Sequence, residues 1–298
     1  MKVLVTGTAG FIASHIACAL VDEGVEVVGI DDLSTGNYDN IDAIRSRPNG
    51  ELFSWHKASV QESIDCIMRS CQGITHICHQ AALGSIPRSL VDPDATFMAN
   101  VMSFHCVMEA ARKNKLKVVY ASSSSVYGSP NSPYALSKKI NEDMAAMYAR
   151  AFGVMAIGLR YFNVFGPRQD PNSQYAAVIP RWIKQIRSGE AITMHGDGSQ
   201  SRDFTYIDNV VTANLLALSA EFSFPVVSDV GCGVSTTIAD VAYSLSLMLE
   251  QPLKIFHLPR RRGDADRSCA VSGPNDWYLD FTRTHLKEGL VETIKAYA

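Results

Sequence analysis

The chain lacks any C-x-x-C pair, and its cysteine count is odd, at seven among 298 residues. Cys18, Cys66, Cys71, Cys78, Cys106, Cys232 and Cys269 therefore read as reduced, mostly buried thiols, not as a disulfide framework. Clustered Cys and His are absent, so no metal site is expected. A surplus of charge is lacking too: 27 Lys and Arg stand against 30 Asp and Glu, a net charge of -3. That excludes the electrostatic footprint of a nucleic-acid partner or of an anionic membrane surface. No apolar run approaches the length of a membrane span. Internal repeats and low-complexity linkers are absent as well. Met1 to Val5 enter a strand at once, which leaves no room for a signal peptide and predicts a cytoplasmic protein.

What is present is core-forming material. Hydrophobic residues make up 47% and charged residues 19%, enough for one large domain or two small ones. In the first half, short β-branched runs alternate with amphipathic stretches. Val3–Val5, Val25–Ile30, Ile74–His79, Lys117–Ala121 and Met155–Leu159 read as strands. Ile12–Glu23, Ala95–Lys113 and Ser137–Phe152 read as helices. This alternation predicts an α/β fold with a doubly wound parallel sheet. After Asn163 the rhythm changes. Gly166 to Asn172 is a loop rich in breakers, and Val178–Ser188, Asp208–Ser219 and Ile238–Leu249 read as helices of a smaller C-terminal substrate-binding lobe.

Thr6-Gly7-Thr8-Ala9-Gly10-Phe11-Ile12-Ala13 lies between the first strand and the first helix. Glycines there let the backbone approach a dinucleotide pyrophosphate, and the helix N-terminus offers N–H groups and the positive end of its dipole. Asp31 and Asp32 end the second strand, about twenty residues on. A carboxylate at that place accepts hydrogen bonds from ribose hydroxyls and repels a 2'-phosphate, so NAD is expected over NADP. The bland alternative makes the two aspartates a simple turn.

Ser122 to Ser125 close the strand that starts at Lys117, at the carboxyl end where ligands bind in such sheets. Tyr134 and Lys138 follow at i, i+4 spacing, on one helix face. The lysine cation is expected to lower the tyrosine pKa, making the phenol a general base near neutral pH. A serine hydroxyl can share the substrate proton.

With these residues the chain resembles the extended short-chain dehydrogenase/reductases, and among them the nucleotide-sugar epimerases. The resemblance is carried by Thr6–His15, His79-Gln80-Ala81-Ala82, Ser122–Gly128, Tyr134–Lys138, Arg160-Tyr161-Phe162-Asn163, Gly196-Asp197-Gly198, Ser201-Arg202-Asp203-Phe204 and Arg261-Arg262-Gly263-Asp264. It implies a Rossmann-type domain over residues 1–163, with 204–225 returning to it, and a nucleotide-sugar lobe over 164–203 and 226–298. It implies a homodimer. It also implies tightly bound NAD, held by Gly7, Gly10, Phe11, Ile12, Asp31, Asp32, Ser59, Ala81, Ala82, Asn100, Tyr134, Lys138 and Tyr161. Tyr134 would take the proton from the sugar O4 while hydride leaves C4, Lys138 would hold the nicotinamide ribose, and Ser123 or Ser124 would bond O4. Related dehydratases and decarboxylases carry an acid just before the Val-Tyr-Gly run. Ser125 stands there, which favours epimerisation.

The segment His79–Ser89 and the run Arg168-Gln169-Asp170-Pro171-Asn172 resemble UDP-N-acetylglucosamine 4-epimerases most. The substrate residues implied are Gly84, Ser85, Ser123, Ser124, Asn163, Gln169, Ala177, Val178, Arg202, Arg261, Asp264 and Ser268. Gly84, Ala177 and Ser268 are small, which suits an acetamido group. Asn163 and Gln169 can bond that group, and the two arginines suit a pyrophosphate. UDP-glucose, UDP-glucuronate, a dehydratase or decarboxylase, and a silent NAD-binding sensor remain alternatives. Three features depart from the relatives. Only six residues separate Tyr127 from Tyr134, where relatives carry a longer covering loop. Ser59 replaces an aspartate that contacts adenine. Ala270 to Thr284 lacks the usual helix pattern.

Overall fold

The computed structural model of the chain describes residues 1–127, 131–173, 176–222, 225–260, 265–271 and 279–297. Two compact units emerge. The first comprises Met1–Arg160 and Val211–Ser228, with the described residues of Gly273–Asp280. Its sheet contains β1 (Lys2–Thr6), β2 (Glu26–Asp31), β3 (Phe53–Lys57), β4 (His76–His79), β5 (Lys117–Ser123), β6 (Ala156–Tyr161) and β11 (Val226–Val230). The order across the sheet is β11-β6-β5-β4-β1-β2-β3. β1 pairs in parallel with β2 and β4, β2 with β3, and β4 with β5. This is the Rossmann-type arrangement. The chain moves outward from β1 to β3, then returns to the other side of β1 at β4. That reversal leaves a crevice beyond the carboxyl ends of β1 and β4, the usual place for a ligand.

The strands read as they do because most are covered on both faces. Val3, Leu4, Val5, Val118 and Val119 are buried, giving continuous apolar runs and not alternation. The edge strand β3 instead alternates, Phe53 buried and Ser54 exposed.

The helices are α1 (Phe11–Asp22), α2 (Tyr38–Arg45), α3 (Val60–Ser70), α4 (Ile86–Val91), α5 (Pro93–Phe97), α6 (Ser103–Asn114) and α7 (Pro133–Phe152). Ile64 and Ile67 of α3, Phe104 and Met108 of α6 and Tyr148 of α7 share one core with Leu4, Ile77 and Tyr120 of the sheet. Each fully buried side chain of this size contributes about 1.5–3 kcal/mol.

The helix expected over Ala95–Lys113 is not continuous. α5 ends at Phe97, a π turn spans Met98–Met102, and α6 begins at Ser103. The turn presents the Asn100 carbonyl to the Asn141 amide Nδ2, 3.1 Å away. α7 begins four residues before the expected Ser137, because the Ser132 hydroxyl caps the Ala135 N–H and Pro133 occupies the first turn, where a missing N–H does no harm. Tyr134 therefore sits in the first turn of α7.

The second unit comprises Tyr161–Val210, Asp229–Ser272 and Phe281–Ala298. Its elements are β7 (Val164–Phe165), α8 (Val178–Arg187), β8 (Ile192–His195), β9 (Ser201–Asp203), β10 (Thr205–Tyr206), the start of α9 (Ile207–Ser219), β12 (Ser235–Thr237), α10 (Ile238–Leu249), β13 (Ile255–Leu258), β14 (Arg267–Ser268) and α11 (Leu286–Ala296). β12 and β14 flank β9. The buried Asp203 accepts from the N–H groups of Cys232, Gly233 and Ala270 at 2.9, 2.8 and 3.1 Å. One carboxylate thereby ties two distant segments to β9.

The seven cysteines form no disulfide, but only Cys78 is buried. The expectation of mostly buried thiols is corrected: Cys18, Cys66 and Cys106 lie on helix rows turned partly to solvent. Among the described residues, no helix is long and apolar enough to cross a membrane, and no group of His, Cys, Asp or Glu is placed to hold a metal ion.

Candidate active site

A groove opens in the first unit beyond the carboxyl ends of its strands, where such sheets bind their ligands. Gly7, Gly10, Asp31, Asp32, Ala81 and Ala82 line it. Gly7 adopts φ +76°, and a Cβ there would lie 2.9 Å from the Ala81 backbone. Only glycine fits, and the backbone is left bare to the groove. Gly10 is the N-cap of α1, with no side chain capping the helix and no acid in its first turn. The free N–H groups suit a phosphate.

Asp31 takes the N–H groups of Ala9 and Leu33 at 3.0 and 2.7 Å. Burial raises its pKa, and those two hydrogen bonds oppose the rise. Asp31 thus fastens the glycine turn to the end of β2, while Asp32 is exposed at the groove.

Several expected cofactor residues do not line this groove with their side chains. Ser59 does not line the groove: its hydroxyl donates to Gln61 Oε1 at 2.8 Å, and Gln61 is the lining residue. Asn100 is fully buried and does not line it either. Its amide bonds both the N–H and the carbonyl of Leu83, at 2.8 and 3.2 Å, and the Ser137 hydroxyl. It supports the lining strip 81–83 from behind. The side chains of Phe11, Ile12 and Tyr161 are outside the lining as well, though Phe11 and Ile12 carry the first N–H groups of α1, and Phe11 packs edge-on against His15. Sequence reading missed Ser34, Thr35, Gln61, Gln80, Leu83 and Ser103. Gln80 and Leu83 flank the recognised Ala81-Ala82, so their place in the chain was signal enough; the others carry none.

Ser123 ends β5 beside Tyr134, and its hydroxyl lowers the tyrosine's pKa. Its oxygen also accepts from the Ser125 N–H and hydroxyl, at 3.2 and 3.0 Å. Of the two candidate serines, Ser123 is the one that acts on the tyrosine. Lys138, one turn further along α7, is buried, and its Nζ donates to the Ala121 carbonyl at 2.9 Å.

The expected effect of Lys138 on Tyr134 is corrected here. Burial raises the Tyr134 pKa, and the lowering influence is the Ser123 hydroxyl. Lys138 directs its ammonium at a carbonyl, and burial pulls it from 10.5 to about 8. The neighbouring His79 ring, bonded to Thr6 at 2.8 Å, is pushed down to about 3 by burial and by Lys138, so it stays neutral.

The folded state disfavours the Lys138 proton, so the penalty is full below pH 8 and vanishes as pH rises toward 10.5. Stability then increases across that window. Lys138→Met is expected to stabilise the cofactor-free protein at neutral pH by up to about 3 kcal/mol. The gain should fade above pH 8. Urea melts of both proteins across this range test it; a gain independent of pH would refute the buried-charge explanation.

The remaining candidates belong to the second unit. Arg202 is buried in β9 and is the register partner of Ser268 in β14; its Nη1 donates to the Ser201 carbonyl at 2.8 Å. Gln169 turns its Nε2 to the Val164 carbonyl at 3.1 Å. Asn163 and Ala177 are exposed, and Val178 opens α8 half-buried. In the first unit, Ser85 caps α4 with φ +110°, an unusual conformation for a non-glycine residue, and a Cβ on Gly84 would meet open space. Arg261 and Asp264, with Gly128 and residues 272–278 of the stretch that lacks the usual helix pattern, lie outside the described residues.

Comparison with known proteins agrees with this geometry. Residues 3–228 match the NAD dependent epimerase/dehydratase family. The solved UDP-N-acetylglucosamine 4-epimerase of Methanobrevibacter ruminantium, in complex with UDP-N-acetylmuramic acid, is 35% identical with a TM-score of 0.91, covering 99% of this chain and 97% of its own. The UDP-glucuronic acid 4-epimerase of Bacillus cereus, solved with UDP-glucuronic acid and NAD, is 28% identical with a TM-score of 0.91, covering 99% and 98%. The UDP-glucose 4-epimerase of Mycolicibacterium smegmatis is 31% identical over 322 residues, covering 100% of this chain and 98% of its own. The alignment is longer than the 298-residue chain, so that relative carries segments this chain lacks. The groove fits NAD: bare backbone at Gly7, an uncapped helix N-terminus at Gly10, and Asp32 where a 2'-phosphate would be repelled.

Proposed function

We infer the activity from one premise: the chain belongs to the NAD dependent epimerase/dehydratase family. On that premise we propose reversible C4 epimerisation of a UDP-hexose, with UDP-GlcNAc and UDP-GalNAc as the substrate pair. The observation that carries it is the placing of Tyr134 and the buried Lys138 one turn apart on α7, against the end of β5 where Ser123 lowers the tyrosine's pKa. Bound NAD would supply a hydride acceptor and, once reduced, a hydride donor, with positive charge on its ring only in the oxidised form. Tyr134 removes the O4 proton and later restores it, as a positioned base then acid. Ser123 holds O4 and steadies the phenolate. Lys138, deep in the first unit, supplies the ribose contact. Arg202 and Arg261 are assigned to the pyrophosphate, and Asp264 to the uridine ribose.

Two features favour epimerisation of an N-acetylated sugar. No acid stands next to Ser123; Ser125 donates a hydroxyl hydrogen bond to it, which suits proton sharing but not elimination of water. Gly84 has open space beside it, as an acetamido group needs. The apolar side chains of Leu90, Met98, Met102, Leu136 and Met147 are exposed on α4, the π turn and α7, which supports a homodimer through that face.

Purified protein incubated with UDP-GlcNAc and no reductant is expected to form UDP-GalNAc, seen by chromatography. Release of CO2 or a 4-keto-6-deoxy sugar would place it among the decarboxylases or dehydratases. NAD retention with no turnover of any UDP-hexose would make it a silent binder. Ser268→Tyr is expected to slow the N-acetylated pair about tenfold or more beyond its effect on UDP-glucose, since a lost pocket of this size discriminates by 1–3 kcal/mol. Equal losses on both would sink the role of Ser268 in selectivity.

A further inference from the structure

Three consecutive residues at the end of β5 meet three successive turns of one α7 face. The Ala121 carbonyl accepts from Lys138 Nζ at 2.9 Å. The Ser122 hydroxyl donates to Glu142 Oε1 at 2.6 Å. Ser123 lies beside Tyr134, whose pKa it lowers. Two of these contacts belong to groups already assigned to the chemistry, and the third does not.

Glu142 is buried, with 5% of its side chain exposed. Arg160, from the adjacent strand β6, grips its carboxylate through both Nε and Nη2, each at 2.7 Å. The planar fork fixes direction as well as distance. The remaining Arg160 nitrogen, Nη1, donates to the Tyr127 hydroxyl at 3.0 Å, and the guanidinium lies 4.8 Å over the Tyr127 ring. The cluster therefore holds the chain on both sides of Ser123, at Ser122 before it and at Tyr127 after it. A buried ion pair is weak evidence of net stability. Its value here is geometric.

We propose that Glu142 and Arg160 are positioning residues that fix how far α7 slides along β5, and so set the approach of Ser123 to Tyr134. The inference rests on the reading of Tyr134 as the base. It also accounts for the short connection between Tyr127 and Tyr134: with little chain available to hold Ser123 in place, the anchor comes from behind, through β6.

The groups around Tyr134 make the test one of sign. They are Ser123 from β5, Lys138 on α7, the neutral His79 of β4 near Lys138, and the Glu142–Arg160 pair. Glu142→Gln removes a negative charge, which by electrostatics alone favours phenolate and lowers the Tyr134 titration. Loss of register loosens the approach of Ser123 and raises it. In NAD-loaded protein, Tyr134 is followed by its ultraviolet phenolate absorbance, as the difference between each protein and its Tyr134→Phe counterpart. Glu142→Gln is expected to move that titration up by about one pH unit, and to lower kcat at neutral pH about tenfold with KM unchanged. Ser122→Ala, which alters no charge, should move both in the same direction by less. The double variant should be no worse than Glu142→Gln alone, since the two act through one contact.

A titration that falls or stays put in Glu142→Gln and in Ser122→Ala overturns the proposal. Should Glu142→Gln fail to fold, Ser122→Ala decides by itself. Wild-type protein that epimerises no UDP-hexose would remove the proposed activity, while the titration would still decide the positioning role.

Discussion

Tyr134→Phe is expected to fold, to keep its NAD, and to interconvert UDP-GlcNAc and UDP-GalNAc about a thousandfold more slowly than wild type. The change removes one oxygen from a ring already in the first turn of α7. The ring's packing and the Ser132 cap of that helix remain. What is lost is the group that exchanges a proton with O4, and nothing nearby can replace it. Ser123 is an alcohol of high pKa already engaged with Ser125. Lys138 is directed at the Ala121 carbonyl, and His79 is buried against Thr6 with its pKa near 3. The measurement is initial rate at saturating substrate, with bound NAD quantified on the same sample. A variant within about tenfold of wild type would show that Tyr134 is not the base.

Gly7→Ala is expected to yield protein without NAD and with a lowered melting temperature. The residue needs φ +76°, and its new Cβ would approach the Ala81 backbone to 2.9 Å. Left-handed backbone alone costs an alanine about 1–2 kcal/mol. The clash adds to that, because the atoms met are main chain and are tied by the Thr6 hydroxyl, which accepts from the Ala81 N–H at 3.1 Å. Relief requires the glycine turn to lift from β4, closing the groove where pyrophosphate would lie. A natural control exists in Gly24, at φ +75° with nothing within 4 Å of its added Cβ. Gly24→Ala should show the backbone strain alone, a few degrees in melting temperature at most, with NAD retained. Equal NAD loss in both variants would defeat the argument from close approach.

Much of the first unit was legible because its signals are local. Buried strands such as Val3–Val5 show as apolar runs, and a glycine turn followed by an acid at the end of β2 needs no tertiary information. β3 was missed because it is an edge: Ser54, His56 and Lys57 hide the strand behind polar residues. The break in the helix at Met98–Met102 was hidden for another reason, since the partner of its Asn100 carbonyl is Asn141, some forty residues away. The start of α7 was legible in principle, as Ser132-Pro133 is a cap followed by a favoured first residue. Tyr134 and Lys138 were found by spacing, but their electrostatics were not. Burial and the direction of the ammonium decide those, and neither is written in a local pattern. Ser59 and Asn100 show the same limit: each lies where the family would place a cofactor contact, yet each is turned toward another protein group.

The three N–H groups gathered by Asp203 bear on the order in which the chain acquires its structure. Ala270 lies 67 residues beyond Asp203, so on the ribosome that carboxylate emerges long before its last partner. β1 also waits, since Val3 pairs with His76 of β4, 73 residues on, but β1 to β5 are all made before Asp203 appears. The second unit comes later still, for its sheet around β9 is completed only by β12 and β14 from the chain's last third. Closure of such distant contacts is slow, so the segments that Asp203 gathers are expected to set late in folding.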